Sequence, residues 1–461
     1  MKRLQLSEIR EAVNGRLISG RPERFVEGVS TDTRSIKGGE LFVPLRGERF
    51  DGHDFITQAV SAGATAVVAE ERSLPTGLAD TVGLVAVRDT LAALGDLAHY
   101  YRGLFGVTVV AVTGSNGKTT TKEMTAHVLG GMGTVVWSPK SFNNFVGVPL
   151  TLFGLEDGTD YAVVEMGTSG PGEIARSAGI ADPDVGVITN VGGVHLEGLG
   201  SIEGVATAKG ELLDALGPED SAILNADDEW SMKLRGRSRA RVVTFGLDEK
   251  ADIRAEAVEA DGTGIRFTGP ERVKIEVPVL GRHNVYNALA AIAVGRRLGM
   301  TMEQIAGRLA SFRPPRMRSE VLDVGGVTVL NDSYNANPAS MRAALDAFAL
   351  LSVRGRQHVV LGDMLELGPT SGQLHYELGQ ELGRRKPDFL WLYGPQMAEA
   401  AKAVRAMRVR GTKVRHADTL EKLADEFVQK VESGDGVLIK GSRGMGTERV
   451  LELLKKRVGQ A

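Results

Sequence analysis

Short apolar runs alternate with amphipathic stretches along most of the chain, a pattern that predicts mostly parallel sheets with helices packed on their faces. Three blocks separate. The first, ending near Val87, holds LFVPL (Leu41 to Leu45), a helix-like DFITQAVSAGA (Asp54 to Ala64) and a strand-like AVVAE (Ala66 to Glu70). It reads as a small α/β module. The second opens on a helix near Asp89 and the strand VTVVAV (Val107 to Val112). It continues through YAVVEMG (Tyr161 to Gly167), VGVITNV (Val185 to Val191) and SAILNADD (Ser221 to Asp228). Its later part, DIRAEAVEADGTGIRFTG (Asp252 to Gly269), alternates around a glycine-containing turn, which predicts a hairpin forming an antiparallel edge. In SFRPPRMR (Ser311 to Arg318) two adjacent prolines cannot donate backbone hydrogen bonds and disfavour helix before them, so a linker is expected there. Beyond it HVVLGD (His358 to Asp363), DFLWLYG (Asp388 to Gly394) and GVLIKG (Gly436 to Gly441) alternate with helical segments. The expected architecture is α/β throughout: a small N-terminal module over 1–88, a central P-loop-type domain with a mostly parallel sheet over 89–313, and a Rossmann-like domain over 314–461.

Composition narrows the function classes. A chain of 461 residues, 42% of them hydrophobic, can bury more than one core, since single cores seldom grow beyond roughly 250 to 300 residues. Its 55 basic and 58 acidic residues leave a net charge of −3, and the basic residues are scattered, so no face suits nucleic acid or anionic lipid. Small-molecule partners and a monomer are expected. The absence of cysteine excludes disulfides, thiolate metal sites and a cysteine nucleophile, and suits a reducing cytoplasm. The opening MKRLQLSEIREAV has no apolar run of signal-sequence length, and no stretch approaches the ~20 apolar residues of a membrane span. A cytoplasmic location is expected.

The chemistry centres on VTGSNGKTTTKE (Val112 to Glu123). Only Ser115 and Asn116 separate Gly114 from Gly117, two residues where the usual P-loop has four. The stretch follows a strand and opens a helix, so its N–H groups converge where the helix dipole favours phosphate. Lys118 then meets the terminal phosphates, and Thr119 or Thr120 offers a hydroxyl to Mg²⁺. A ligand-free helix cap is the bland alternative. Downstream, Glu165 closes an apolar strand, where an unpaired carboxylate is costly; it is a candidate hard-cation ligand or the partner of a salt bridge. His195, in NVGGVHLEGLGS, and Lys209, in GVATAKGELL, are each unremarkable alone.

Taken together and in order, GSNGKTT, EMGTSGPGEI, NVGGVHLEGLGS and GVATAKGELL resemble the Mur ligase family of ATP-dependent amino acid ligases that build peptidoglycan precursors. The resemblance runs essentially end to end. It implies Mg²⁺ held by Thr119, Glu165, His195 and a carbamylated Lys209, since a carbamate converts a cation into an anion able to hold metal near the γ-phosphate. It implies ATP binding by Gly114 through Thr120, with Asn284 and Asn287 of GRHNVYNALAA on the adenine side, although helix capping is the simpler role for Asn284. Across the linker Arg318 resembles an arginine that reaches the γ-phosphate, and Asp332 of NDSYNANPASM one that holds the nucleotide. Ser30, Thr31, Asp32 and Arg34 of GVSTDTRSIKGGELFVPLRGERFDGHDFI resemble the uridine-diphosphate site, with a polar turn capped by Asp32 as the alternative. Asn143 and Asn144 of SFNNFVGVPLT resemble the loop over the sugar-linked substrate, where Lys140 and Ser141 replace a Gly-Asn pair. GDMLELG, His375 and IKGSRGMGTERV resemble the acceptor side, with Asp363 and Ser442 as candidate contacts. The branch implied joins D-alanyl-D-alanine to UDP-N-acetylmuramoyl-tripeptide, with the third domain closing onto the second. Folylpolyglutamate synthesis and a non-enzymatic nucleotide switch are the rival readings.

Overall fold

The computed structural model describes residues 1–47, 50–75, 77–78 and 82–459; Glu48 and Arg49 of the N-terminal candidate stretch lie outside them. Three principal sheets carry the chain. The N-terminal sheet orders its strands Arg16–Ser19, Gly83–Val87, Ala66–Glu70, Glu40–Phe42 and Gly28–Ser30, with only the first pair antiparallel. The central sheet runs Ile253–Arg254, Arg241–Gly246, Ser221–Asn225, Val185–Ile188, Thr108–Thr113, Tyr161–Glu165 and Val135–Trp137, all parallel. The third sheet pairs Glu320–Val324 antiparallel with Val327–Asn331, then continues in parallel through Gly436–Lys440, Gln357–Gly362, Phe389–Tyr393 and Lys413–Ala417.

The inner strands of each sheet are covered on both faces and are therefore continuous apolar runs, while the edge strands Arg16–Ser19, Glu320–Val324 and Lys413–Ala417 keep exposed positions. Successive side chains point to opposite faces of a strand. Accordingly Val109 and Ala111 enter one core while Val110 and Val112 enter another. In the third domain Leu390 and Leu392 face one layer, and Phe389 and Trp391 the other. The segment Ser311 to Arg318 carries neither helix nor strand, as its prolines dictate.

One expectation fails. Glu256–Asp261 and Gly264–Thr268 do form an antiparallel hairpin, but with Lys274–Val277 they make a separate three-stranded sheet. The central sheet's own edge, Ile253–Arg254, is parallel to its neighbour. Strand periodicity reports which face is buried and carries no information about which sheet accepts the strand. No helix among the described residues is long and apolar enough to cross a membrane.

The N-terminal and central domains share a core. Ala66, Val68 and Val85 of the first sheet pack in one cluster with Leu94 and Leu97 of the helix Thr90–Arg102 and with Val109. Asp89 starts that helix by accepting the N–H of Ala92. Near its end, fully buried Tyr101 donates its hydroxyl to the Leu155 carbonyl (2.7 Å) and accepts the N–H of Lys2 (2.6 Å). Replacing Tyr101 by Phe strands the Leu155 carbonyl in a dry core, so Tyr101→Phe is expected to destabilise by ~1–3 kcal/mol. A lowered urea midpoint would register this, and an unchanged midpoint would show that the junction does not need the bond.

Candidate active site

The strand Thr108–Thr113 lies between Val185–Ile188 and Tyr161–Glu165. Its carboxyl end therefore sits where the chain's connections diverge to either side, the place at which open parallel sheets bind ligands. The loop that follows is held by sterics and hydrogen bonds. Gly114 and Gly117 have φ of +148° and +82°, and a Cβ on them would lie 1.9 Å from Thr189 Oγ1 and 2.3 Å from Asn287 Oδ1 respectively. Only glycine fits either position. Ser115 Oγ donates to the Gly192 carbonyl (2.9 Å) and accepts its N–H (2.8 Å). The Asn116 backbone exchanges hydrogen bonds with the Asn190 side chain. The N–H groups of Gly117, Lys118, Thr119 and Thr120 have no protein acceptor among the described residues. They open the helix Lys118–Leu129 as a cluster of free donors, an anion site by construction. Lys118 arches over the loop and donates to the Gly114 carbonyl (2.7 Å).

Glu165, at the end of its strand, is 1% exposed and fully paired. It accepts from Thr119 Oγ1 (2.8 Å) and from Asn143 Nδ2 (2.9 Å), with Lys122 Nζ at 3.8 Å. Sequence reading missed Lys122. Its ammonium is completely buried and donates to the carbonyls of Ser138 and Lys140, each at 2.6 Å. One buried cation thus ties the phosphate-loop helix to the asparagine loop. A lysine one turn after Lys118 carries no local signal that it points inward.

These groups line a cavity of about 690 Å³ whose far wall belongs to the third domain. Arg318 stacks on Tyr334 (4.2 Å) and points a guanidinium nitrogen at Ser141 Oγ (3.4 Å). Asp332 pairs with buried Lys440 and accepts the Ser319 N–H (2.9 Å). Asn337 donates from Nδ2 to Asn116 Oδ1 (2.7 Å), joining the third domain to the phosphate loop. His195, with φ of +52°, enters the same cavity and is paired through Nδ1 to Glu366 of the third domain. Sequence reading does not single out Tyr334, Asn337 and Lys440, and it notes Ser141 only as a replacement in the asparagine loop, because their partners Arg318, Asn116 and Asp332 are brought to them by folding.

Other candidates are placed differently from expectation. Asn284 and Asn287 reach the cavity wall, yet their amides are used internally: Asn284 Nδ2 donates to the Leu280 carbonyl (2.7 Å), Asn287 Nδ2 to Asn284 Oδ1 (2.7 Å), and Thr121 donates to Asn287 Oδ1 (3.1 Å). They brace the loop. Asn144 lines the cavity while its Oδ1 accepts the Gly147 N–H at the start of the helix Gly147–Leu152. Asp363 and Ser442 do not line it. The Asp363 carboxylate accepts the N–H groups of Gln396 and Met397 at the start of a helix, and Ser442 Oγ accepts the Leu365 N–H. With His375, which accepts the Met364 N–H, they hold the loop GDMLELG from behind. Ser30, Thr31, Asp32 and Arg34 are also outside this cavity. There Asp32 caps a short 3₁₀ turn, and its hydrogen bonds with Arg34 lower its pKa to about 2.

Comparison with known proteins adds the family. The Mur ligase middle domain matches residues 112–295, the Mur ligase glutamate ligase domain residues 317–443, and the Mur ligase family catalytic domain residues 25–102. A UDP-N-acetylmuramoyl-tripeptide--D-alanyl-D-alanine ligase of Bacillus subtilis is 39% identical over 97% of both chains. The chain belongs to the Mur ligase family. A crystal structure of MurF from Acinetobacter baumannii superposes with a TM-score of 0.90 at 29% identity over 99% of each chain. A MurF ligase of Thermotoga maritima in complex with ADP gives 0.81 at 30% identity, covering 94% of this chain and 98% of that one.

Electrostatics distinguishes the cationic groups of this Mur ligase. Burial lowers the Lys118 pKa against the pull of Glu165. Lys209 is 1% exposed, has no hydrogen-bond or ion-pair partner among the described residues, and does not line the cavity. Burial, reinforced by the Lys118 charge, holds its pKa well below the usual 10.5. No group of three or more His, Asp and Glu side chains able to hold a metal occurs among the described residues. Thr119, Glu165 and His195 nevertheless face one cavity, and Mg²⁺ ordinarily draws most of its ligands from phosphate and water. The donor set fits a Mg²⁺ bound together with a nucleotide.

Two outcomes follow from these burials. Lys122→Met removes the cation beside Glu165 and releases two carbonyls, with an expected loss of ~3–5 kcal/mol in urea unfolding; a loss below 1 kcal/mol, roughly the value of an exposed pair, would contradict it. Lys209→Met should do the reverse in carbonate-free buffer at neutral pH and raise the unfolding midpoint. Because the folded-state pKa is depressed, the unfolded chain binds more protons between that pKa and 10.5, and wild-type stability rises with pH across this window. The advantage of the methionine variant should therefore shrink towards pH 10.5; a constant difference would show that Lys209 does not cause it.

Proposed function

We infer that this chain is an ATP-dependent ligase that joins D-alanyl-D-alanine to UDP-N-acetylmuramoyl-tripeptide through an acyl phosphate, releasing ADP and phosphate, in cytoplasmic peptidoglycan precursor synthesis. The observation that carries the reading is the cluster of unpaired N–H groups at Gly117 to Thr120, facing a cavity closed by a second domain. Relatives named for this reaction align over nearly the whole chain.

A carboxylate is a poor electrophile, and oxide is no leaving group. A carboxylate oxygen of the tripeptide attacks the γ-phosphorus, and the bond to the bridging oxygen of ADP breaks. The amine nitrogen of the dipeptide then attacks the acyl carbon, loses its proton, and phosphate leaves with the former carboxylate oxygen. Lys118 and the loop N–H groups face the charge that spreads over the transferred phosphoryl group, joined by Arg318 from the third domain. Gly114 through Gly117 shape the cradle, and Asp332 meets the nucleotide across the interface. Asn143 and Asn144 lie over the donor substrate. In our assignment residues 1–88 bind the UDP moiety through Ser30, Thr31, Asp32 and Arg34, residues 89–313 bind ATP, and residues 314–461 bind the acceptor. Asn284 and Asn287 act by bracing the loop, and Asp363 and Ser442 by holding the acceptor-side backbone.

Thr119, Glu165 and His195 would hold Mg²⁺, which when bound neutralises phosphate charge. Lys209 is the carbamylation candidate. Only an uncharged amine attacks CO₂, and its burial without a partner favours that form. A carbamate carbon signal from labelled bicarbonate, lost in Lys209→Met, is expected; an identical spectrum of the two proteins would remove Lys209 from that role.

The activity test is phosphate release from ATP with UDP-N-acetylmuramoyl-tripeptide, with and without D-alanyl-D-alanine, and the product identified by mass. Release and a new amide only with both substrates is the expected result, and Lys118→Ala should slow it by about 10²–10³. Glutamate serving as acceptor on a folate would favour folylpolyglutamate synthesis. ATP binding with no amide from any acceptor would favour a switch.

A further inference from the structure

His195 and Glu366 meet across the boundary between the central and third domains, His195 Nδ1 against Glu366 Oε2. Both residues have left-handed backbones, with φ of +52° and +62°. A left-handed conformation is unfavourable for residues with a Cβ, and two such residues aimed at each other across an interface indicate a contact the fold is built to make. His195 precedes a single short helical turn, Leu196–Leu199, and Glu366 lies in the loop GDMLELG. That loop is held from behind by Asp363, Ser442 and His375, so Glu366 is presented from a fixed frame. Its side chain is 59% exposed, which means that the pair does not serve to fill a core. Burial disfavours a positive charge on His195, Glu366 beside it opposes this, and Lys118 and Lys209 add to the disfavour.

We propose that Glu366 is a positioning residue that couples docking of the acceptor-side loop to the phosphate site, by crossing the domain boundary to orient His195. With Nδ1 engaged by the carboxylate, the ring is fixed and Nε2 is left as the nitrogen open to the cavity. When the third domain moves away the imidazole loses this partner, so the phosphate-site donor set is complete only when the acceptor side is in place. The inference rests on the ligase reading above, but its structural half can be tested without ligation.

The chain has no cysteine, so Glu303→Cys and Lys402→Cys, on exposed helical positions of the central and third domains, accept a pair of spin labels cleanly. With a non-hydrolysable ATP analogue, Mg²⁺ and D-alanyl-D-alanine, the labelled protein should show one short, narrow distance distribution. Adding Glu366→Ala should shift it towards longer, broader distances. In unlabelled protein the same variant should lower kcat/KM for D-alanyl-D-alanine about tenfold, mainly through KM, leaving KM for the UDP substrate unchanged. Glu366→Gln, whose amide oxygen can still accept the Nδ1 proton, should recover most of both effects. Unchanged distances and unchanged acceptor KM in Glu366→Ala would overturn the proposal, as would equal losses in the alanine and glutamine variants. If the wild-type protein made no pentapeptide, the ligase reading would fail while the distance experiment still reported on the latch.

Discussion

The site depends on holding one carboxylate, Glu165, in a place almost without water. A lone carboxylate there would cost several kcal/mol or more, and the structure meets that cost with three donors from two segments. Thr119 comes from the phosphate-loop helix, Asn143 from the asparagine loop, and Lys122 reaches in from the next turn of the helix. Each donor is thereby fixed relative to the others. The carboxylate at the end of an apolar strand is both a candidate metal ligand and the pin around which the loops over the sheet are arranged.

A second constraint is that the cavity belongs to no single domain. The central domain supplies free N–H groups and the third supplies Arg318, Asp332 and Lys440. Direct bonds from Asn337 to Asn116 and from Glu366 to His195 bring the two surfaces together. An acyl phosphate is hydrolysed readily, so a site completed only when two domains meet suits a reaction that must exclude water. The proline-containing linker Ser311 to Arg318 ends on Arg318 itself, so the junction between the two domains carries a charge into the cavity.

Some groups cost this protein stability at identifiable points. Lys209 is buried with no partner among the described residues, and His195 and Glu366 hold unfavourable backbone conformations. None of these features improves packing. They persist because the surrounding cores, built from doubly covered parallel sheets, are large enough to offset them.

Apolar periodicity did not mark edge strands such as Arg16–Ser19 and Lys413–Ala417. It placed the buried inner strands such as Ala66–Glu70, Tyr161–Glu165 and Gly436–Lys440, because a strand buried on both faces leaves a local pattern in the chain. GSNGKTT was legible as a phosphate loop for the same reason: its two glycines, lysine and threonines act within a few residues of one another. Partnership across long separations was not legible. Lys122 looks like any helical lysine until its ammonium is found beneath Ser138 and Lys140. Asp363 and Ser442 look like ligand contacts until they are seen holding backbone. The hairpin after Asp252 could be read, but not the sheet it joins. The sequence by itself determined the buried inner strands, the three-block order and the chemistry of the phosphate loop, since these rest on neighbouring residues. Only the tertiary structure decided which charged groups are paired, which face the cavity and which cross the domain boundary, since desolvation and hydrogen bonding are set by groups that folding brings together from distant parts of the chain.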